Sequence, residues 1–209
     1  MNLEVFTVAT DRNTGFTRFD ASLARFAVRP IVLGTGEIFH GYAWRFKKLV
    51  RAVRDSVATV ILFADAYDTL CLESPSLALE KFAAFNHPIV FSFEPQSQPE
   101  PYLALNAGLM IANREAFLEV FTDRVLEALF PDHFNDQLQL QAMLSWQPDL
   151  LRLDRNSEIF FTSLSGTPIP PGRTPTFIHA PYNGSLPNSV TPDLRNEVLG
   201  ENDDLAGGG

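Results

Sequence analysis

The most apolar run of the chain limits the fold more than any other feature of the sequence. Residues 57–64 read Val-Ala-Thr-Val-Ile-Leu-Phe-Ala. A short run of this kind, rich in β-branched residues, is typical of a central parallel strand that is covered on both faces. Asp65 follows it directly, and Asp68 comes three residues later. Because ligands bind beyond the carboxyl ends of such strands, the sequence predicts a site with acidic groups at this strand end.

The rest of the chain alternates between strand-like and helix-like patterns. The pattern predicts strands at residues 3–10, 28–33, 57–64 and 89–93, and short strand-like pieces at residues 150–153, 158–162 and 176–179. It predicts helices at residues 16–26, 44–55 and 77–85, at residues 113–125 with Asn113 as the N-cap, and from Asn135 onwards. This alternation predicts an α/β fold with a mostly parallel central sheet flanked by helices.

The length of 209 residues favours a single domain. We expect this domain to cover residues 1–186, and residues 187–209, which are acidic and end in three glycines, to form a mobile tail. Residues 95–101 are predicted to be a Pro/Gln-rich linker. The helix at residues 44–55 has a basic face that we expect to be solvated, formed by Arg45, Lys47, Lys48, Arg51 and Arg54.

Charge and composition exclude several classes of protein. The chain has 25 acidic and 16 basic residues, a net charge of -9, which disfavours a nucleic-acid partner. Cys71 is the single cysteine and predicts a small buried side chain rather than a disulfide. No apolar run reaches the roughly 20 residues of a membrane span, and the opening residues lack the pattern of a signal peptide. We therefore expect a cytoplasmic protein without a membrane span.

Four polar positions are candidates for chemistry. Asp65 and Asp68 would repel each other unless a cation joins them, and oxygen ligands suit Mg²⁺ or Mn²⁺; the alternative is that they cap a turn. His179 ends a strand-like run and is either a metal ligand or a core histidine. The segment from Asn106 to Gly108 is interpreted as a turn, with or without a ligand beside it. Asp136 lies at a helix start, where an acid also complements the helix dipole.

The order of short motifs along the chain resembles a known family. The motifs are Val8-Ala9-Thr10-Asp11, Phe63-Ala64-Asp65-Ala66-Tyr67-Asp68, residues 89–94, Leu105-Asn106-Ala107-Gly108, Asn135-Asp136-Gln137-Leu138, residues 153–160 and His179. Together they resemble the glycosyltransferase domain of the procollagen lysyl hydroxylase family over about residues 3–184. The Asp-x-Tyr-Asp and Asp-Gln-Leu elements carry most of this resemblance.

The resemblance implies a GT-A glycosyltransferase fold and transfer of glucose or galactose from a UDP-sugar to an acceptor hydroxyl, with hydroxylysine or a glycan as the acceptor. It implies that Asp65, Asp68 and His179 hold Mn²⁺, or Mg²⁺, and that Tyr67 stacks on the uracil. It also implies cofactor-binding positions at Val8, Ala9, Thr10 and Gly184. Asp136, beside the transferred sugar, and Asn106 are the candidate catalytic residues.

The chain also departs from the family pattern. The family's run of aspartates is reduced to Phe134-Asn135-Asp136. No lysine follows Lys81, so diphosphate binding must rely on the metal, on backbone N–H groups or on an arginine such as Arg45. The acceptor-side loop is shortened to residues 95–101. Two other functions therefore stay open: a nucleotide-sugar hydrolase, in which water replaces the acceptor, and a non-catalytic domain that binds a sugar nucleotide or a glycan.

Overall fold

A computed structural model describes residues 1–94, 104–164 and 166–181. The predicted linker, the predicted tail and Gly184 therefore lie outside the described residues. The strands are β1 (Leu3–Val8), β2 (Ile31–Leu33), β3 (Val60–Ala64), β4 (Thr69–Cys71), β5 (Ile89–Phe93), β6 (Leu105–Asn113), β7 (Leu151–Asp154), β8 (Phe160–Thr162) and β9 (Phe177–His179). The helices are α1 (Thr14–Ala24), α2 (Tyr42–Asp55), α3 (Pro75–Phe85), α4 (Arg114–Val120), α5 (Asp123–Leu129) and α6 (Asp136–Trp146).

The main sheet has six strands in the order β2-β1-β3-β6-β5-β7. Strand β1 runs parallel to β2 and β3, and β5 runs parallel to β7. Strand β6 lies between β3 and β5 and is antiparallel to both. The predicted α/β fold with a mostly parallel sheet is confirmed. Because β6 runs the other way, its first residues lie beside the carboxyl end of β3.

Both faces of β3 are covered, as its apolar sequence predicts. Ile61 and Phe63 belong to the core on one face, which contains the buried side of α2 and residues of α4, α5 and α6. Val60, Leu62 and Ala64 belong to the core on the other face, with residues of α1 and α3. The alternation follows from the period of a strand, in which successive side chains point to opposite faces. All five residues of β3 are buried, so its end is fixed in place.

A second, smaller sheet has three strands in the order β4-β9-β8. Strand β4 pairs antiparallel with β9, and Thr69 lies opposite His179. The sequence pattern does not predict β4, because three residues directly after a polar turn have no detectable period. The pairing brings the end of β9 to the turn that follows β3.

Two predictions about local structure are wrong. The helix at residues 113–125 is two helices, because Thr122 caps α5 by accepting a hydrogen bond from the N–H of Val125. Asn113 does cap α4, as predicted, and accepts from the N–H of Ala116. The segment from Asn106 to Gly108 is not a turn but part of β6. A bulge lies there, since Phe91 pairs with Met110 whereas the next residue, Ser92, pairs with Asn106.

In the described part of the chain, no helix has both the length and the apolar character needed to cross a membrane.

Candidate active site

Asp65, Asp68 and His179 come together at the end of β3. Each residue offers one ligand atom, and these atoms all lie within 4.8 Å of one another. His179 Nε2 lies 3.1 Å from Asp68 Oδ1 and 3.8 Å from Asp65 Oδ2. The two aspartates belong to the turn between β3 and β4, and His179 is the last residue of β9. The pairing of β4 with β9 therefore builds a cluster from residues that are far apart in the sequence.

The ring of His179 is held so that one nitrogen faces the aspartates. Its Nδ1 lies 2.9 Å from the side-chain oxygen of Asn106, which can only accept, so Nδ1 carries the hydrogen. The opposite nitrogen, Nε2, is buried and has no hydrogen-bond partner among the described residues. A buried polar atom of this kind is normally satisfied. In the neutral ring, Nε2 presents its lone pair to the two carboxylates. A metal-binding histidine has this arrangement when its other nitrogen is held by a hydrogen bond.

Asn106 lies behind His179. Its side-chain NH₂ donates to Glu94 at 2.7 Å, and its oxygen also accepts from the N–H of Gly108 at 2.9 Å. Asn106 and Glu94 are both buried. The structure thus shows Asn106 orienting His179, while the catalytic role expected from the sequence stays a prediction.

Two glycines allow the close packing of the site. A Cβ atom on Gly108 would overlap the His179 ring and lie 2.9 Å from Asp65 Oδ2. A Cβ atom on Gly15 would overlap the backbone carbonyl of Tyr67. Neither glycine has a positive φ, so it is space rather than backbone conformation that requires glycine. The sequence pattern predicts a turn at Gly108 and does not reveal that the His179 ring needs this space. It gives no signal for the contact of Gly15 with Tyr67.

Arg45 joins the cluster to Asp136. Its Nη1 donates to Asp65 Oδ1, and its Nη2 and Nε donate to Asp136 Oδ2 at 2.7 and 3.3 Å. The prediction that the whole basic face of α2 is solvated is wrong for Arg45, which is only 8% exposed. The signal was present in the sequence, since Arg45 is four residues before Leu49 and eight before Val53, both of which are buried in the core.

Burial and charge act against each other at the cluster. Burial raises the pKa of Asp65 above its usual range, although Arg45 and His179 act in the opposite direction. Burial also tends to raise the pKa of Asp68, but His179 outweighs it and the pKa is lowered. For His179 burial lowers the pKa, yet Asp68 and Asp65 outweigh it and the pKa rises above 6.5. Three aspartates and Arg45 leave two negative charges when His179 is neutral, which a divalent cation would balance.

A cavity of about 400 Å³ opens on one side of the cluster. We call it the Tyr67 cavity; its lining includes Val8, Thr10, Asp11, Phe39, Tyr42 and Tyr67. Tyr67 is 39% exposed, and its hydroxyl accepts from the N–H groups of Thr10 at 2.9 Å and Asp11 at 3.2 Å. Ala9 is buried in a small apolar cluster with Phe16 and Ala66. The predicted uridine-binding positions at Val8, Thr10 and Tyr67 therefore share one cavity, next to the aspartates.

A second cavity of about 350 Å³ opens on the other side. We call it the Asp136 cavity; its lining includes Asn106, Gly108, Asn135, Asp136, Gln137, His179 and Pro181. Both cavities are lined by Tyr42, Arg45, Asp65 and Asp68. Asn135 caps α6 by accepting from the N–H of Gln137, which leaves Asp136 at the first helical position, 2% exposed. The cluster thus forms the wall between two pockets.

Comparison with known proteins agrees with this geometry. Residues 1–120 match the model of the protein family described as "PLOD GT domain", a family of glycosyltransferase domains. The chain belongs to this family. The resemblance expected from the motifs is therefore confirmed, and so is the expectation of a glycosyltransferase domain.

Two curated relatives illustrate the membership. The chain is 30% identical over 183 residues to the human multifunctional procollagen lysine hydroxylase and glycosyltransferase LH3, covering 76% of this chain and 24% of that protein. It is 36% identical over 109 residues to human procollagen-lysine,2-oxoglutarate 5-dioxygenase 1, covering 47% of this chain and 15% of that protein. The chain thus spans a quarter or less of the length of these relatives.

The fold is shared with solved GT-A glycosyltransferases. A glycosyltransferase involved in glycosylation of the major capsid of PBCV-1 superposes with a TM-score of 0.56 at 12% identity, covering 86% of this chain and 92% of that chain. At this level of identity the likeness concerns the fold alone.

Proposed function

We propose that this glycosyltransferase domain transfers a hexose, glucose or galactose, from a UDP-sugar to an acceptor hydroxyl and that it needs a divalent metal ion, Mn²⁺ or Mg²⁺. Hydroxylysine or a glycan is the acceptor in this proposal. The observation that carries it is the cluster of Asp65, Asp68 and His179, which lies between two open cavities at the end of the sheet. In an open α/β sheet this is where ligands bind.

The residues present fit a metal ion. His179 Nε2 is buried without a hydrogen-bond partner among the described residues, and it faces two carboxylates. Because Gly108 has no side chain, the His179 ring has room to lie against the cluster; a Cβ atom at position 108 would overlap it. Mixed oxygen and imidazole ligands suit Mn²⁺, and oxygen ligands suit Mg²⁺. When bound, the ion would supply Lewis-acid stabilisation of the negative charge on the leaving diphosphate.

The Tyr67 cavity supports recognition of the nucleotide. The Tyr67 ring is partly exposed to the cavity, and its hydroxyl is anchored by the N–H groups of Thr10 and Asp11. An anchored aromatic ring offers a face on which a base stacks, which contributes about 1 to 3 kcal/mol. The carbonyl of Tyr67 lies against Gly15, so the ring starts from a fixed backbone.

The Asp136 cavity supports the position of the transferred sugar and the acceptor. In the transfer step the acceptor oxygen forms a bond to the anomeric carbon, and the bond from that carbon to the β-phosphate oxygen breaks. The UDP leaves with the electron pair, and the acceptor hydroxyl loses its proton. A carboxylate at Asp136 can stabilise positive charge at the anomeric carbon, orient a sugar hydroxyl or accept this proton.

Release of UDP tests the proposal. The purified chain is incubated with UDP-glucose or UDP-galactose, with Mn²⁺, with Mg²⁺ or with a chelator, and with or without hydroxylysine peptides and glycans. The proposal expects metal-dependent UDP release that increases when an acceptor is present. Equal release without any acceptor indicates a nucleotide-sugar hydrolase. Metal-dependent binding of UDP without release indicates a non-catalytic binding domain.

A further inference from the structure

Arg45 is held between two carboxylates that come from different parts of the fold. Arg45 belongs to α2, Asp65 follows β3, and Asp136 begins α6. The Nη1 of Arg45 donates to Asp65 Oδ1, while Nη2 and Nε both donate to Asp136 Oδ2. Arg45 therefore connects the metal-binding cluster to the start of α6.

In each carboxylate, one oxygen accepts the hydrogen bonds from Arg45 and the other oxygen accepts none from it. Asp65 Oδ2 lies 3.8 Å from His179 Nε2, on the metal side. The hydrogen bonds that the described residues make to Asp136 all go to Oδ2, so they leave Oδ1 without a donor, and Asp136 itself lines the Asp136 cavity. Both carboxylates thus divide their oxygens in the same way.

The guanidinium group is also fixed by its surroundings. It lies over the Phe63 ring at 5.5 Å and over the Tyr42 ring at 5.3 Å, measured to the ring centroids. All three of its nitrogens already donate to carboxylates. A lysine ammonium is a single point of charge and cannot make this forked contact to two separated groups. These contacts hold the guanidinium group between the two carboxylates.

We propose that Arg45 is a positioning residue that fixes Asp136 beside the metal-binding aspartates, with one oxygen turned to the acceptor side before any ligand binds. This inference rests on the proposed function, because Arg45 acts through Asp136 on the transfer step. Asp136 is 2% exposed. Without Arg45 it becomes a buried carboxylate without the ion pair that holds it, so its side chain turns away from this position.

A mutant cycle tests whether Arg45 acts through Asp136. The variants are Arg45→Met, Asp136→Asn and the double variant, with Arg54→Met as the matched control. Arg54 lies on the same helix, but its ion pair with Asp123 is at the surface. We expect each single variant to lower kcat by about 10² to 10⁴. We expect the kcat of the double variant to equal that of the less active single variant within about threefold. In Asp136→Asn, calorimetric affinity for Mn²⁺ and UDP should stay within about threefold of the wild type, and Arg54→Met should keep normal turnover.

Two kinetic results would overturn the proposal. If the losses in the double variant multiply, the two residues act independently. If Arg45→Met weakens UDP binding by about 100-fold while bound donor turns over normally, Arg45 contacts the diphosphate instead. If Arg45→Met does not fold, Arg45→Lys enters the same cycle, because it keeps the charge and loses the fork.

A crystal structure of Arg45→Lys supplies a readout that needs no turnover. The proposal expects the Asp136 side chain to leave the position seen here, whereas an unchanged Asp136 carboxylate would contradict it. This readout separates two failures. If the wild type releases no UDP with any acceptor, the proposed function is wrong, and the position of Asp136 still decides the role of Arg45.

Discussion

The Tyr67 cavity and the Asp136 cavity share one wall but are built differently. Most of the Tyr67 cavity is lined by the ends of β1 and β3 and the turns after them, which the buried sheet fixes in place; Phe39, Tyr42 and Arg45 add the start of α2 and the segment before it. Among the described residues, the Asp136 cavity depends on the start of α6, which Arg45 ties to the sheet. The first arrangement follows from local sequence patterns. The second depends on one ion pair between residues that are 91 positions apart.

The largest effect is expected at the shared wall. Asp65→Ala and Asp68→Ala should each abolish Mn²⁺-dependent binding of UDP, because each removes a charged ligand from the cluster. Isothermal titration calorimetry measures this, with Asp132→Ala as the control. Asp132 is an exposed aspartate paired with Lys47, and its loss should leave binding unchanged. Unaltered affinities in the Asp65 and Asp68 variants, with the fold intact by circular dichroism, would show that the metal binds elsewhere.

A smaller but still large effect is expected in the Asp136 cavity. Asp136→Asn should lower turnover by about 10² to 10⁴, the usual contribution of one acid-base group, while donor affinity changes little. Steady-state UDP release and calorimetry on one preparation measure both. If Asp136 has only a structural role, as the partner of Arg45 and as an acid at the start of α6, turnover stays normal and only stability falls.

The packing behind the metal cluster comes next. Gly108→Ala would place a methyl group against the His179 ring and 2.9 Å from Asp65 Oδ2. The ring must move, so we expect Mn²⁺ affinity to fall by about 10- to 100-fold, the usual cost of disturbing the groups that orient a ligand. Gly36→Ala serves as the control, since nothing lies within 4 Å of its Cβ and only its backbone is strained. Equal Mn²⁺ affinity in the two variants would speak against the role of Gly108.

The Tyr67 cavity itself should respond more weakly. Tyr67→Ala should weaken UDP binding by about 1 to 3 kcal/mol, the range for stacking of a base on an aromatic ring. Tyr67→Phe keeps the ring but removes the oxygen that accepts from Thr10 and Asp11, so it should lose much less affinity. A structure with UDP bound away from Tyr67 would refute this assignment.

The smallest effect is a pH dependence of metal binding. The pKa of His179 is raised above its usual value by Asp68 and Asp65 despite its burial, so a proton competes with the metal for Nε2. Affinity for Mn²⁺ should fall by up to about tenfold for each pH unit below that pKa and level off above it, with one proton released on binding. Calorimetry in buffers of different ionisation enthalpy measures the proton. If no proton is released, His179 is not a ligand.

The sequence predicts the fold and the placement of Asp65, Asp68 and His179 at strand ends, for physical reasons. A strand that is covered on both faces must be apolar, so β3 and the aspartates after it are visible without a structure. The end of β9 at His179 is visible in the same way. Strand β4 is not, because its three residues owe their conformation to β9 rather than to their own pattern.

Long-range contacts account for what the sequence did not predict. The period of α2 predicts a buried stripe, but it does not tell which charges face Arg45. Asn106 was interpreted as a turn residue because its segment resembles one, whereas pairing with β5 makes it a bulge that presents its oxygen to His179. Such partners depend on the whole fold, which local propensity does not describe.

The antiparallel direction of β6 has a consequence for how such a domain can diversify. The N–H of Glu94, just after β5, donates to the carbonyl of Ala104, just before β6, at 2.8 Å. This hydrogen bond extends the pairing of the two strands by one residue on each side. Asn106 and Gly108, which follow Ala104 in β6, contact the cluster through His179. The bonds that close this pair and hold Asn106 lie within the described residues, and they orient His179 from behind. A change of sequence between β5 and β6 can therefore leave the orientation of His179 intact.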